Sequence, residues 1–126
     1  MMKIKITIGK LVVFAKLNES RTAKWIWGCL PIASKSELWG EEVYFNINPV
    51  IGIEKGCAHD VVEVGDVAYW PTGPCMCLFF GTTPNSRRGK IIPASTVNVF
   101  GKMEGDPRVL AAVKEGEHIK VERARI

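Results

Sequence analysis

The sequence predicts a mainly β fold of about eight strands and two short helices, forming one domain over residues 1–126. Three observations predict it. Runs rich in Val, Ile, Tyr, Phe and Trp recur between Gly, Pro and Asn turn signals. Twelve glycines and seven prolines suit many turns better than long helices. Only two segments carry the caps of a helix. Strand runs spaced in this way point to a sandwich or a barrel, and the pattern leaves that choice open.

The elements follow in order. Residues 3–8 alternate, with Ile4, Ile6 and Ile8 on one face and Lys3, Lys5 and Thr7 on the other, as a strand with one wet face does. Gly9-Lys10 suits a type II′ hairpin. Leu11 to Leu17 is apolar on both faces for several residues, so burial on both sides is expected. A helix over about 19–29 follows, capped by Asn18 or Ser20, with Ala23, Ile26, Trp27 and Leu30 in one stripe and Trp25 opposite. Pro31 stops it. Residues 32–38 form a weakly patterned strand, Leu38-Trp39-Gly40 turns, and Glu41 to Ile47 reads as a strand. Val67 to Trp70 is short and ends at Pro71. Cys75 to Phe80 is the most apolar strand, hence central. Gly81 to Lys90 is a polar loop, and Ile91-Ile92 and Val97 to Met103 add β segments. Asp106, Pro107 and Gly116 mark the start, first position and end of a second helix, with Val109, Leu110 and Val113 as its inner stripe. His118 to Arg125 closes the chain as a strand, with Ile119 and Val121 inward.

Composition excludes several classes. Hydrophobic residues make up 47%, enough for one core, and a net charge of +4 is modest, so the chain is not of the disordered kind. No apolar run approaches the ~20 residues of a membrane span, and no export signal opens the chain, so a cytoplasmic protein is expected. The basic cluster Arg87, Arg88 and Lys90 lacks interleaved aromatics, so nucleic acid is not an expected partner. Cys29, Cys57, Cys75 and Cys77 are expected to be reduced and mostly buried. Cys57-Ala58-His59 and Cys75-Met76-Cys77 lack paired C-x-x-C spacing, so neither a metal nor a cofactor is expected.

Four motifs are more specific. They are Trp39-Gly40-Glu41-Glu42-Val43-Tyr44-Phe45, Val64 to Pro71, Cys77-Leu78-Phe79-Phe80-Gly81-Thr82-Thr83-Pro84, and Pro93 to Lys102. Together, in order and over nearly the whole chain, they resemble a small prokaryotic cyclophilin-like family, formerly a domain of unknown function. The resemblance implies a closed eight-stranded cyclophilin-like β-barrel capped by two short α-helices. Cyclophilins are peptidyl-prolyl isomerases with a groove on the outer barrel wall. By resemblance Phe80 matches the phenylalanine of the proline pocket. The positions of the catalytic arginine, tryptophan and histidine fall near Ser36, near Ile92 and at Val97, so none of those residue types is retained. Prolyl isomerisation has a barrier of ~18–20 kcal/mol, and a pocket without the arginine donor binds without catalysing. No catalytic residue is therefore assigned. Arg21, Lys35 or Trp39 would have to substitute in an isomerase with a rearranged site, which is the alternative reading.

The candidate binding residues are Trp39, Glu41, Tyr44, Tyr69, Trp70, Phe80, Thr82 and Asn85. The aromatics have the apolar body and polar tip that small-ligand sites use. Thr82 and Asn85 belong to a polar loop able to hydrogen-bond a ligand. Glu41 and Glu42 alternate across a strand, so at most one of them faces a pocket. The expected partner is a small molecule or a short proline-containing peptide. The same aromatic patch also suits a protein interface, which admits a homo-oligomer.

Overall fold

The computed structural model describes residues 1–124. Ten antiparallel strands form one sheet: β1 Lys3–Ile8, β2 Leu11–Leu17, β3 Ile32–Lys35, β4 Glu37–Leu38, β5 Glu42–Asn46, β6 Ala58–His59, β7 Asp66–Trp70, β8 Cys75–Phe79, β9 Val97–Met103 and β10 His118–Arg123. The order around the sheet is β3-β10-β1-β2-β9-β7-β8-β5-β4, with β6 laid on β9. The two ends of this path are neighbours in sequence, separated only by Ser36. β3 and β4 are thus halves of one bent strand, the first pairing β10 and the second pairing β5. That bend makes a nearly closed barrel of eight ring members from nine named strands. Ser34 Oγ–H donates to the carbonyl of Asn46 at 2.7 Å across the seam. Among the described residues no helix is long and apolar enough to cross a membrane.

The barrel interior holds the main core. Ile4, Ile6 and Ile8 are buried from β1. Gly9 has φ +58° and Lys10 does not, which is the type II′ geometry, and it sets Ile8 opposite Leu11. β2 corrects an expectation. Val13, Ala15 and Leu17 point inward, but Val12 and Phe14 are exposed rather than buried, because nothing packs on that part of the outer wall. The Lys3 ammonium lies over the Phe14 ring, 5.2 Å from its centroid. Lys3 in turn pairs with Glu104 at 2.8 Å.

The helix α1, Arg21–Cys29, closes one end. Ser20 Oγ accepts from Ala23 N–H at 3.0 Å, and Thr22, Ala23 and Ile26 are buried while Trp25 faces solvent. The Glu54 carboxylate adds a second cap, accepting from Arg21 N–H, Thr22 N–H and Thr22 Oγ1–H at 3.0, 2.8 and 2.6 Å. The Thr22 hydroxyl bond is the largest of the influences that hold this carboxyl down at about 2. Fully buried Asn98 ties the cluster to β9 through Thr22, Gly52 and Glu54.

The far end differs from the expected second α-helix. Pro107–Ala112 is a 3-10 helix, capped by Asp106. Leu110 and Val113 are buried but Val109 is 45% exposed. A spacing of three residues matches the 3-10 period, whereas Val109 would need the α-helical one to turn inward. The strand predicted to Arg125 ends at Arg123, and residue 125 lies outside the described residues.

The bend between β3 and β4 is locked to this end. Ser36 N–H donates to Glu117 O at 2.9 Å, and Ser36 O accepts from Gly116 N–H at 2.8 Å. Its hydroxyl donates to Lys114 O at 2.5 Å and accepts from Glu117 N–H at 2.9 Å. Ser36 is 1% exposed, so its partners have no water to replace it. Ser36→Ala should lower unfolding free energy by about 1–3 kcal/mol, the cost of orphaned buried backbone groups. Urea unfolding checks this as a lower midpoint with an unchanged slope.

Candidate functional site

One sector of the barrel wall is buried on both faces. In β5, β8 and β7 the inward side chains are Val43 and Phe45, Met76 and Leu78, and Val67 and Tyr69, all in the main core. Their alternates point outward: Glu42 and Tyr44, Cys75, Cys77 and Phe79, Ala68 and Trp70. Outside them, Val62, Ile91 and Val97 build a second apolar cluster with Cys75, Cys77, Phe79 and Ala68. The segment that covers this face is pinned by Val62 N–H donating to Ile91 O at 2.9 Å.

The cover is incomplete, and a cavity of about 200 Å³ remains on the outer wall. β5 contributes Glu42 and Tyr44, and the turn before it contributes Trp39. β8 and β7 contribute Cys77 and Trp70 to the floor and side. Pro93, Ala94 and Val97 form the opposite wall. Trp70 is held in place by its indole N–H, which donates to Ser95 Oγ at 2.6 Å. The Trp39 turn is fixed where Gly40, at φ +60°, passes the Thr82–Thr83 backbone so closely that a Cβ would sit 2.9 Å from Thr82 O.

Glu42 is the chemically unusual member. It is 5% exposed, and among the described residues no cation pairs with it. Burial raises its carboxyl to about 7, and a hydrogen bond from the Cys77 thiol offsets only part of that. Burial first, then the Glu42 charge, pushes the Cys77 thiol well up. Burial likewise pushes Cys75 up to about 11, with Glu37 and Glu42 adding to it, and raises the Tyr44 phenol.

The sequence-predicted residues divide between three places. Trp39, Tyr44 and Trp70 come together at the cavity. Tyr69 and Phe80 do not reach it, since both lie in the barrel core. The Tyr69 hydroxyl donates to Pro49 O at 2.6 Å and accepts from Ile51 N–H at 3.0 Å. Phe79, not Phe80, carries the outward ring of that pair. Glu41, Thr82 and Asn85 are exposed at the neighbouring turn. The Glu41 carboxylate accepts from Thr82 N–H and Oγ1–H at 3.0 and 3.2 Å. Asn85 N–H donates to Thr83 Oγ1 at 3.3 Å, so this loop turns its polar groups on itself. Glu42, Cys77, Pro93, Ala94 and Val97 are cavity residues absent from the sequence-based set. The available signal was parity, since Glu42 and Tyr44 are two apart and must share a face.

Of the residues proposed as substitutes for the missing arginine, Trp39 lines the cavity and the two cationic ones lie elsewhere. Arg21 is on α1 at the barrel end, and Lys35 is exposed on β3. Ser36, near which the resemblance places the arginine, is engaged in the bracket to Lys114 and Glu117. All four cysteines are free thiols, with Cys29 exposed, and no metal-holding cluster exists among the described residues.

A family model described as cyclophilin-like matches residues 2–122. The solution structure of a hypothetical protein from Archaeoglobus fulgidus is similar, at 41% identity and a TM-score of 0.82, covering 98% of this chain and 95% of that one. No curated protein matches the chain.

Glu42 gives the protein a pH signature. The unfolded chain releases this proton near 4.5 and the folded chain near 7, so between them the folded state binds more protons and stability falls as pH rises. The span corresponds to about 3 kcal/mol. Glu54 acts oppositely and in a separate window, its contribution being lost as pH falls from 4.5 toward 2. Glu42→Gln should therefore match the parent near pH 4, below the unfolded value, and exceed it by up to about 3 kcal/mol at pH 8 in urea unfolding. An unchanged pH slope would show that Glu42 ionises freely.

Proposed function

We propose that this chain, which belongs to the cyclophilin-like family, is a noncatalytic binding module whose site is the outer-wall cavity. The observation that carries the reading is Glu42, a carboxyl buried among Trp39, Tyr44 and Trp70 without a cationic partner among the described residues. Such a group costs stability that an apolar residue of similar size would not. Perturbed carboxyls of this kind cluster at functional sites. The volume of about 200 Å³ also supports it. Drug-sized sites run to about 300–1,000 Å³, while an apolar void of about 150 Å³ already accepts benzene. The occupant is therefore one small group, either a free molecule or the side chain of a short peptide.

Binding without isomerisation is supported by the lining itself. No arginine or lysine is part of it, and Val97 is an apolar wall. Stabilising a twisted prolyl amide needs a donor aimed at it, and uniform binding of ground and transition states accelerates nothing. The four free thiols are in keeping with a cytoplasmic setting.

Two measurements test the proposal. Titrating the isotope-labelled chain with a chemically diverse fragment set should shift the indole N–H signals of Trp39 and Trp70 and leave that of Trp25 still. Shifts confined to Trp25, or none at all, overturn the site. A protease-coupled proline-peptide assay at micromolar protein should show no acceleration over the uncatalysed rate, and a measurable acceleration overturns the noncatalytic claim.

A further inference from the structure

We infer that the occupant of the cavity is an alkylated ammonium ion, held by the Glu42 carboxylate and the aromatic faces of Trp39, Tyr44 and Trp70. This rests on the reading of the cavity as the binding site and names the chemistry of what enters it.

Charge complementarity carries the argument. The field in the cavity is negative from two sources. Glu42 is a carboxylate lining it, and two tryptophans and a tyrosine line it too, aromatic rings whose faces carry negative quadrupole density. Glu37 adds to that field through Tyr44 and Cys75. An anion would be repelled by all of them. A neutral occupant would leave the ionised carboxylate desolvated and uncompensated, and burial without compensation is what holds Glu42 half-protonated. A cation supplies the missing partner. Alkyl groups on it follow from the rest of the lining, where the side chains of Pro93, Ala94 and Val97 are apolar and offer no acceptor for an N–H. A metal ion fits poorly, because hard cations need several oxygen ligands and one carboxylate is present. Two sources share this chemistry, a free quaternary amine and the side chain of a methylated lysine.

The titratable groups that interact with Glu42 are Tyr44 on its own strand and Cys75 and Cys77 on β8, while Glu37 on β4 acts on Tyr44 and Cys75, and Glu115 on Tyr44. β7 and β9 present Trp70 and Val97, which do not titrate. Burial keeps the thiols and the phenol neutral and brings Glu42 into the range near pH 7. Affinity for a permanently charged cation should then fall about tenfold from pH 8 to pH 6.

The probes are choline, its uncharged carbon isostere neohexanol, and a peptide carrying trimethyllysine beside its unmodified form. Choline or the trimethyllysine peptide should shift the Trp39 and Trp70 indole signals. Neohexanol should bind at least about fivefold more weakly. Glu42→Gln should lose both the preference for charge and the pH dependence. Tighter binding of the methylated peptide than of choline supports the inference with a protein side chain as the source, and the reverse order supports it with a free amine. Equal binding of choline and neohexanol, or tighter binding at pH 6, overturns the cation while leaving the cavity as a binding site. Absence of choline and trimethyllysine binding at tens of millimolar also overturns it. If the fragment set likewise fails to move Trp39 and Trp70, the site itself falls.

Discussion

Closure of the sheet at Ser36 is the constraint on which the rest depends. A strand that bends once, pairing β10 with its first half and β5 with its second, turns a nine-member path into a nearly closed barrel. Once the sheet is closed, every strand residue is committed to one of two faces, and the period of two decides which. The bracket from Ser36 to Lys114, Gly116 and Glu117 holds the bend to the end of the barrel. An arginine in that place would have to displace the two hydrogen bonds of the hydroxyl in a site with no room for solvent. The position where the family resemblance puts a catalytic donor thus serves closure instead.

Closure also explains why the cavity lies outside the barrel. The interior is filled by rings and aliphatic side chains from all around the sheet, Phe45, Tyr69 and Phe100 among them. Space for a ligand can arise only where a second layer covers the outer wall imperfectly. That layer is irregular chain, so its polar groups need partners of their own. Thr83 and Ser86 supply them, with Thr83 Oγ1 bonded to Ile92 O and Ser86 Oγ accepting from the N–H groups of Thr83 and Ile92 at 2.9 and 3.2 Å. The loop read as a ligand contact is the support that keeps Ile91 and Pro93 against the wall.

Local signals in the sequence were sound where one residue decides the outcome. The alternation of β1, the Gly9 turn, the Ser20 cap and the burial of β8 along its whole length are each written in a few adjacent residues. Readings that needed a third dimension fared differently. Val12 and Phe14 look like core until the absence of a covering layer is known, and the second helix has caps that suit an α-helix and a 3-10 helix alike. The site set mixed faces, since Tyr69 with Trp70, and Glu41 with Tyr44, are an odd number of residues apart and cannot share a wall. Parity would have replaced Glu41 by Glu42. It would not have supplied Pro93, Ala94 or Val97, which reach the cavity through tertiary packing alone.

Two glutamates show how the same side chain takes opposite roles. Glu54 is met by three donors from the start of α1, which favour its charge and make it part of the fold. Glu42 is met by apolar surface, which opposes its charge, and by one thiol, whose hydrogen bond offsets only part of that opposition. Glu54 is complete within the chain, and its ionisation strengthens the structure that holds it. The ionised Glu42 is incomplete, and its ionisation weakens that structure. A cationic occupant reverses that sign, because it stabilises the carboxylate in place. Binding and folding then become linked through one proton, and the bound protein regains at neutral pH the stability that an empty cavity gives up.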